Sequence, residues 1–247
     1  MTALALTTPA ISIAGTTVRQ ITYTFTTRSD RSAAPSTSAD PAEGYYTAAY
    51  QNVAQSYRQT SGTRVYDAGP LSEKGTITVG IVGTQQDGGL IVSTVENGQS
   101  ARRSPAAECV VYGNTRVLCD PKKTVYPEEY TLLRFLGRNF IDTSNLDAHR
   151  HWHIFQNSPS MTVTADYTVG PATSGDVTVS ETRTVRQPND AEVLTDVQTK
   201  IGYDMSRNLP TSIDESVTQR HDNGVQGTST TVYQTTLSLV SDVWVEP

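Results

Sequence analysis

Hydrophobic and polar positions alternate with a period of two along most of this 247-residue chain. Val18 to Thr27 sets the pattern, with Ile21, Tyr23 and Phe25 on one face and Thr22, Thr24 and Thr26 on the other. That alternation predicts a half-buried strand. Residues 28–44 are rich in Ser, Ala, Pro and Asp and predict a loop. Tyr46, Ala49, Tyr50, Val53, Ala54 and Tyr57 then recur at helical spacing, which predicts a short helix, although the Tyr and Thr content suits a strand as well. Thr76 to Thr84 and Leu90 to Val95 flank Asp87-Gly88-Gly89, a hairpin signal. The clearest helix opens at Pro127, with Glu128 and Glu129 at the positive end of its dipole, and stops near Gly137. Leu132, Leu133, Leu136 and Phe140 give it an apolar side to lay on a sheet. Six further strands are predicted at 148–156, 161–169, 176–185, 192–203, 211–220 and 229–240, the last two joined by the turn Asp222-Asn223-Gly224. Long strands joined in order by short turns predict a mostly β fold. It is a single highly curved antiparallel sheet or open barrel, a meander with one or two helices packed against it, in one domain spanning 1–247.

The only two cysteines lie at the open ends of one predicted hairpin, Cys109-Val-Val-Tyr-Gly-Asn-Thr-Arg-Val-Leu-Cys119. A two-residue turn at Gly113-Asn114 would pair Cys109 with Leu118 and put the thiols on opposite faces. A three-residue loop, Gly113 to Thr115, places Cys109 opposite Cys119 and gathers both with Val111 and Val117 on one apolar face. The pair would then be non-hydrogen-bonded, with Cα atoms about 4.5 Å apart, close enough for a disulfide. This register, or a bulge with the same effect, is the expectation. A stable disulfide implies an extracytoplasmic location, periplasmic or secreted. The competing reading is a pair of buried free thiols in a cytosolic sheet.

Composition narrows the partners. The net charge is −6, and Arg102-Arg103 and Lys122-Lys123 are the longest basic runs, so nucleic acid is not an expected partner. No apolar stretch is long enough for a transmembrane helix. Residues 3–14 are weakly apolar, and Ser12-Ile13-Ala14 has the small residues that precede a signal cleavage site, but Pro9 interrupts the run and a basic segment is missing. The stretch is the tail of a truncated signal or the start of the first strand. It contains no cysteine for a lipid anchor.

The run Ile201-Gly-Tyr-Asp-Met-Ser-Arg-Asn-Leu-Pro-Thr-Ser-Ile213 reads as a strand end at Tyr-Asp, a turn, and a new strand from Leu-Pro. In this it resembles bacterial envelope proteins of the lipoprotein-carrier (LolA/LolB-like) half-barrel type, over the last hundred residues. The resemblance implies an unclosed barrel whose concave face, covered by a helix, holds acyl chains or a partner. It carries over no binding residues. The Thr-rich alternating positions argue against a deep apolar cavity.

Candidate chemistry centres on Asp147-Ala-His149-Arg-His151-Trp-His153. On a strand the acid and the three histidines share one face, with Trp152 and Ile154 on the other. His149 and His151 form an H-x-H pair suited to zinc, a metal that neutral imidazoles bind well. His149 and His153 would be about 13 Å apart along an extended strand, so a single ion cannot use all three. His221-Asp222 holds the remaining histidine. The competing reading is a polar face with Trp152 anchoring the core. A nucleophile elbow, phosphate loop and dinucleotide fingerprint are all missing, so no cofactor is implied. Glu128 and Glu129 are explained by their place in a first helical turn.

The expected function is a non-catalytic binding or carrier protein for a lipid or other apolar small molecule. Leu132, Leu133, Leu136 and Phe140 would hold the ligand, together with Tyr50 and Tyr57. One alternative is a structural or adhesive surface protein that contacts proteins or glycans, or itself, through exposed tyrosines and sheet edges. The other is a zinc-dependent hydrolase using His149 and His151.

Overall fold

The computed structural model describes residues 16–32, 71–99, 106–120, 123, 125–137, 140–141, 150–158, 161–171, 176–187, 193–222 and 228–245. The expected helix or strand over 46–57, the turn at 223–224 and His149 lie outside them. The strands are β1 (Arg19–Ser32), β2 (Leu71–Thr84), β3 (Leu90–Gly98), β4 (Ala107–Val111) and β5 (Val117–Cys119) before the helix α1 (Pro127–Arg134). After it come β6 (His151–Ser158), β7 (Met161–Val169), β8 (Asp176–Gln187), β9 (Val193–Asp204), β10 (Leu209–Asp222) and β11 (Thr228–Trp244).

All eleven strands form one antiparallel sheet in the order β5-β4-β3-β2-β1-β11-β10-β9-β8-β7-β6. The first described strand, β1, therefore lies in the middle, and the chain meanders outward from it to β5. It crosses through α1 to the opposite edge at β6, then meanders back until β11 pairs with β1. The sheet is open, with β5 and β6 as its terminal strands. Three interior pairings shift register, placing an extra residue at Val82, Thr211 and Val240. Such bulges increase local twist and bend the strand that carries them. Pro210 sits beside one of them, where the missing N–H disturbs the ladder least.

The alternation divides the sheet as the sequence predicts. Ile21, Tyr23 and Phe25 of β1 are buried, with Ile77 and Val79 of β2, Ile201 and Tyr203 of β9, Ile213 of β10 and Leu237 of β11. One inner face thus carries a continuous apolar core. An aromatic group lies at its β6–β7 end, where Trp152 and Tyr167 stack at 4.6 Å and Phe140 meets both edge-on. The Tyr203-Asp204…Leu209-Pro210 run forms a strand end, a turn and a new strand. Asp204 Oδ1 accepts from the Ser206 and Arg207 amides at 2.8 and 3.0 Å. Asn208 completes the turn at φ 53°, a left-handed conformation that Asn tolerates well.

Two expectations are corrected. Residues 28–32 continue β1 and do not open a loop. Ser29 pairs with Leu71 on one side and Tyr233 on the other, so neighbouring strands satisfy the backbone of a segment whose composition favours turns. The helix is also shorter than 127–137, because Phe135 caps it and Phe135 N and Leu136 N bond back three residues in a tightened last turn. Gly137 lies beyond the helix, where a Cβ would fall 2.3 Å from Tyr112 O. Its hydrogen is what lets the end of α1 close onto the cysteine hairpin.

That hairpin has the three-residue loop. Cys109 pairs with Cys119 and Val111 with Val117, while Tyr112 N bonds Arg116 O at 2.9 Å and Asp120 N bonds Glu108 O at 3.0 Å. These bonds bracket the cysteines at a non-hydrogen-bonded position. The disulfide closes there with Cα atoms 4.0 Å apart. Thr115 N bonds Tyr112 O, and Thr115 takes φ 63°, the left-handed residue that converts a type I turn into a bulged hairpin loop. Replacing both cysteines by alanine removes a cross-link worth about 3 kcal/mol for a loop of this length. The variant should keep its far-ultraviolet circular dichroism, because the sheet does not depend on β5, and unfold at lower urea. An unchanged midpoint would show that the disulfide adds no stability.

Candidate functional site

All eight residues of α1 are buried, including Glu128, Glu129, Thr131 and Arg134. A helix covered around its whole circumference needs internal partners for its polar side chains. Glu129, at the third helical position, reaches back to accept from Tyr126 N at 2.8 Å and also accepts from Thr94 Oγ1 at 3.0 Å. Arg134, one turn later, bonds Glu181 of β8 and also donates to Glu215 of β10 at 3.2 Å. Thr131 Oγ1 donates to the other oxygen of Glu215 at 2.7 Å. Glu181 further accepts from Tyr167 OH at 2.7 Å and Thr199 Oγ1 at 2.8 Å, with Arg183 Nη1 3.9 Å away.

The two carboxyls differ in character. Burial pushes the Glu181 carboxyl up, but Arg134 and Arg183 outweigh it with help from Tyr167 and Thr199, so the group sits below the ordinary carboxylate range. At Glu215 burial prevails over Arg134 and Thr131, and the carboxyl sits above that range. Burial also opposes the Arg134 charge, yet the two glutamates more than offset it. The cluster is an ionic anchor that fixes α1 to the sheet. Both glutamates are committed to it and closed to solvent, so they do not form an accessible acid–base pair.

The expected apolar ligand residues lie beside this anchor. Leu132, Leu133, Leu136 and Phe140 are buried in the core. Phe140 packs between Phe135, Trp152 and Tyr167 at 5.1 to 5.9 Å. These buried side chains and the ionic cluster lie together between the helix and the sheet. Tyr50 and Tyr57 lie outside the described residues.

His151 and His153 face outward on β6 and are exposed, and Trp152 between them is buried, as the alternation predicts. His151 Nδ1 lies 2.9 Å from Thr168 Oγ1 and His153 Nδ1 2.8 Å from Asp166 Oδ1. Each ring is thus engaged with β7. Among the described residues no three His, Cys, Asp or Glu side chains gather in a metal-binding group.

The outer face carries a feature the sequence reading missed. A trough of about 490 Å³ crosses β8, β9, β10 and β11. One wall is the cross-strand row Ser180–Lys200–Asp214–Thr236. The other is the row Thr182–Gln198–Ser216–Gln234. Between the rows the floor is the backbone of Glu181, Thr199, Glu215 and Thr235, whose side chains point inward and are buried. On β8, β9 and β10 the trough and the ionic anchor are therefore two sides of the same strand segments, while on β11 the inward Thr235 bonds Thr27 of β1 at 3.2 Å. Among the described residues two aromatic side chains are exposed: Phe155 at 60%, outward on β6, and Trp244 at 69% at the end of β11, where the bulge at Val240 puts it on the face of Ile21 and Asp242, under the Arg19 guanidinium. The anchor left a trace in the sequence, since Glu181 and Glu215 occupy inward positions of otherwise apolar alternations, Val177-x-Val179-x-Glu181 and Ile213-x-Glu215-x-Val217.

No family model matches the chain, and no curated protein matches it. Among the described residues no helix is long and apolar enough to cross a membrane.

Replacing Arg134 by methionine leaves two buried carboxylates without their main partner. It should destabilise the protein by about 3–5 kcal/mol at neutral pH. Glu215 already lies above its unfolded value, and losing Arg134 pushes it further up and removes the largest influence holding Glu181 down, so the folded variant binds protons more readily than the native fold does. Its deficit should therefore shrink as the pH falls from about 8 towards about 5. Urea unfolding of both proteins at several pH values measures this, and a deficit independent of pH would mean that the carboxylates do not carry the cost.

Proposed function

We propose that the protein is a non-catalytic, extracytoplasmic binding protein that engages glycans or other proteins through the outer face of its sheet. One observation carries this reading, the contrast between the two faces. The inner face buries α1, its apolar side chains and the ionic anchor, whereas the outer face presents a trough walled by Ser, Thr, Gln, Lys and Asp. Carriage of an apolar ligand beneath α1 would require the helix to leave, which separates Arg134 from both glutamates in a low-dielectric interior at a cost of several kcal/mol. A surface function requires no such opening. The exposed Phe155, outward on β6, adds an apolar contact to the same reading.

The disulfide supports the location, because such bonds persist in oxidising compartments and are rare in reducing ones. The outward ionisable side chains of the trough are one lysine and one aspartate on neighbouring strands, the pairing that Lys200 and Asp214 make.

Native protein from the source organism tests both parts. Its cysteines should resist alkylation until reduced, it should be retained on the envelope fraction, and its organic extract should contain no stoichiometric lipid. One equivalent of an acyl lipid in that extract would overturn the surface reading in favour of a carrier, and alkylation without reduction would overturn the location.

A further inference from the structure

We infer that the outer trough is a binding site for an uncharged, extended polysaccharide chain lying across the strands; this rests on the surface-binding reading above and names its ligand. The walls decide the chemistry. Every outward side chain along them is Ser, Thr, Gln, Lys or Asp, so no wholly apolar side chain is there to receive an acyl chain. A polyanion such as a nucleic acid needs several cations along its path. Here Lys200 is the only cation, and its cross-strand neighbour is Asp214. Protein interfaces centre on aromatic or arginine anchors, and the trough has neither. Its four strands are interior, with hydrogen-bonded neighbours on both sides, so a peptide cannot add to them as an extra strand.

What remains is a ligand rich in groups that both donate and accept hydrogen bonds. Ser and Thr hydroxyls do both, and a Gln amide carries a donor and an acceptor side by side. Sugar hydroxyls have the same dual character. Spacing adds a second argument. Each row places one polar side chain per strand, about 4.8 Å apart, so the four strands span about 14 Å. That repeat is close to the rise of one sugar unit in an extended chain, and the two rows flank the chain on both sides. The floor is held from beneath, because Glu181, Thr199 and Glu215 are locked in the ionic anchor and Thr235 bonds Thr27 of the neighbouring strand. A rigid, pre-shaped trough loses little entropy on binding.

The test is calorimetric titration of the full chain with cellohexaose and chitohexaose as uncharged extended probes. Maltohexaose is the coiled control and a heparin hexasaccharide the charged one. At least one extended probe should bind, with both controls weaker. Replacing Gln198 and Gln234 together by alanine should weaken binding about tenfold through the loss of two hydrogen-bonding groups. Filling the trough with Ser216→Tyr should abolish it, and Thr24→Ala, on the outer face of β1, should leave it unchanged. Circular dichroism and urea unfolding confirm that each variant folds. The proposal is overturned if neither extended probe binds, if the charged chain binds best, or if binding survives Ser216→Tyr. Loss of envelope retention in Ser216→Tyr, with no effect of competing hexasaccharide on the native protein, would assign the trough to a protein partner. Retention on the envelope without binding of either extended probe would leave the surface reading standing and remove the polysaccharide.

Discussion

The rest of the structure depends on a single buried charge cluster, Arg134 held between Glu181 and Glu215. A short helix has little intrinsic stability in water, and its persistence comes from what it packs against. α1 is eight residues long and buried on every side, so each of its polar groups must be met from within. Arg134 reaches β8 and β10 together, Thr131 reinforces β10, and Glu129 ties the first turn to β3 through Thr94. Ionic contacts in an interior carry a large desolvation cost, so the cluster matters less as net stability than as a statement of position. An apolar helix could slide over an apolar sheet. One with a guanidinium shared between two fixed carboxylates has one seat.

The strand order gives that seat its context. The chain enters at the centre of the sheet and leaves at the centre, so β1 and β11 hold together two meanders that would otherwise be separate. α1 belongs to the connection between the two outer edges, and its anchor lands on strands of the second meander. Its end instead meets the first, where Gly137 lies against Tyr112 of the cysteine hairpin. The disulfide stiffens that hairpin at its open end, and the bulged loop at Thr115 sets the register that lets the thiols meet. Helix, hairpin and returning strands thus constrain one another through side chains distant in sequence.

Much of this architecture is legible in the sequence because alternation is a local signal. Met161–Val169 has the bounds its alternation predicts, and Pro127 with two following glutamates marks the start of α1. The cysteine register follows from requiring both thiols on one face. Residues 28–32 were misread because pairing with β2 and β11, not composition, makes them a strand. Charged residues such as Glu181 read as solvent-facing by type, and only their position within an apolar alternation marks them as internal. The trough leaves no local trace at all. Its walls come from strands up to 56 positions apart, from Ser180 to Thr236, and exist only once cross-strand registers are set. Of the expected ligand residues, Leu132, Leu133, Leu136 and Phe140 lie in the interior among core side chains.

The parity of a strand makes the two faces a single mechanical object. Residues 180–182, 198–200 and 214–216 each alternate outward, inward, outward, so the central residue of each triplet faces the helix and its neighbours wall the trough. A slip of one position in any of these strands would turn a buried carboxylate to solvent and an outward Ser, Gln or Lys into the core. The anchor forbids that slip, because Glu181, Thr199 and Glu215 converge on one another and on Arg134. What holds the helix inside therefore also fixes the rows outside. The spacing of outer polar groups, on which recognition of a repeating ligand depends, is set by a charge cluster that the ligand never touches.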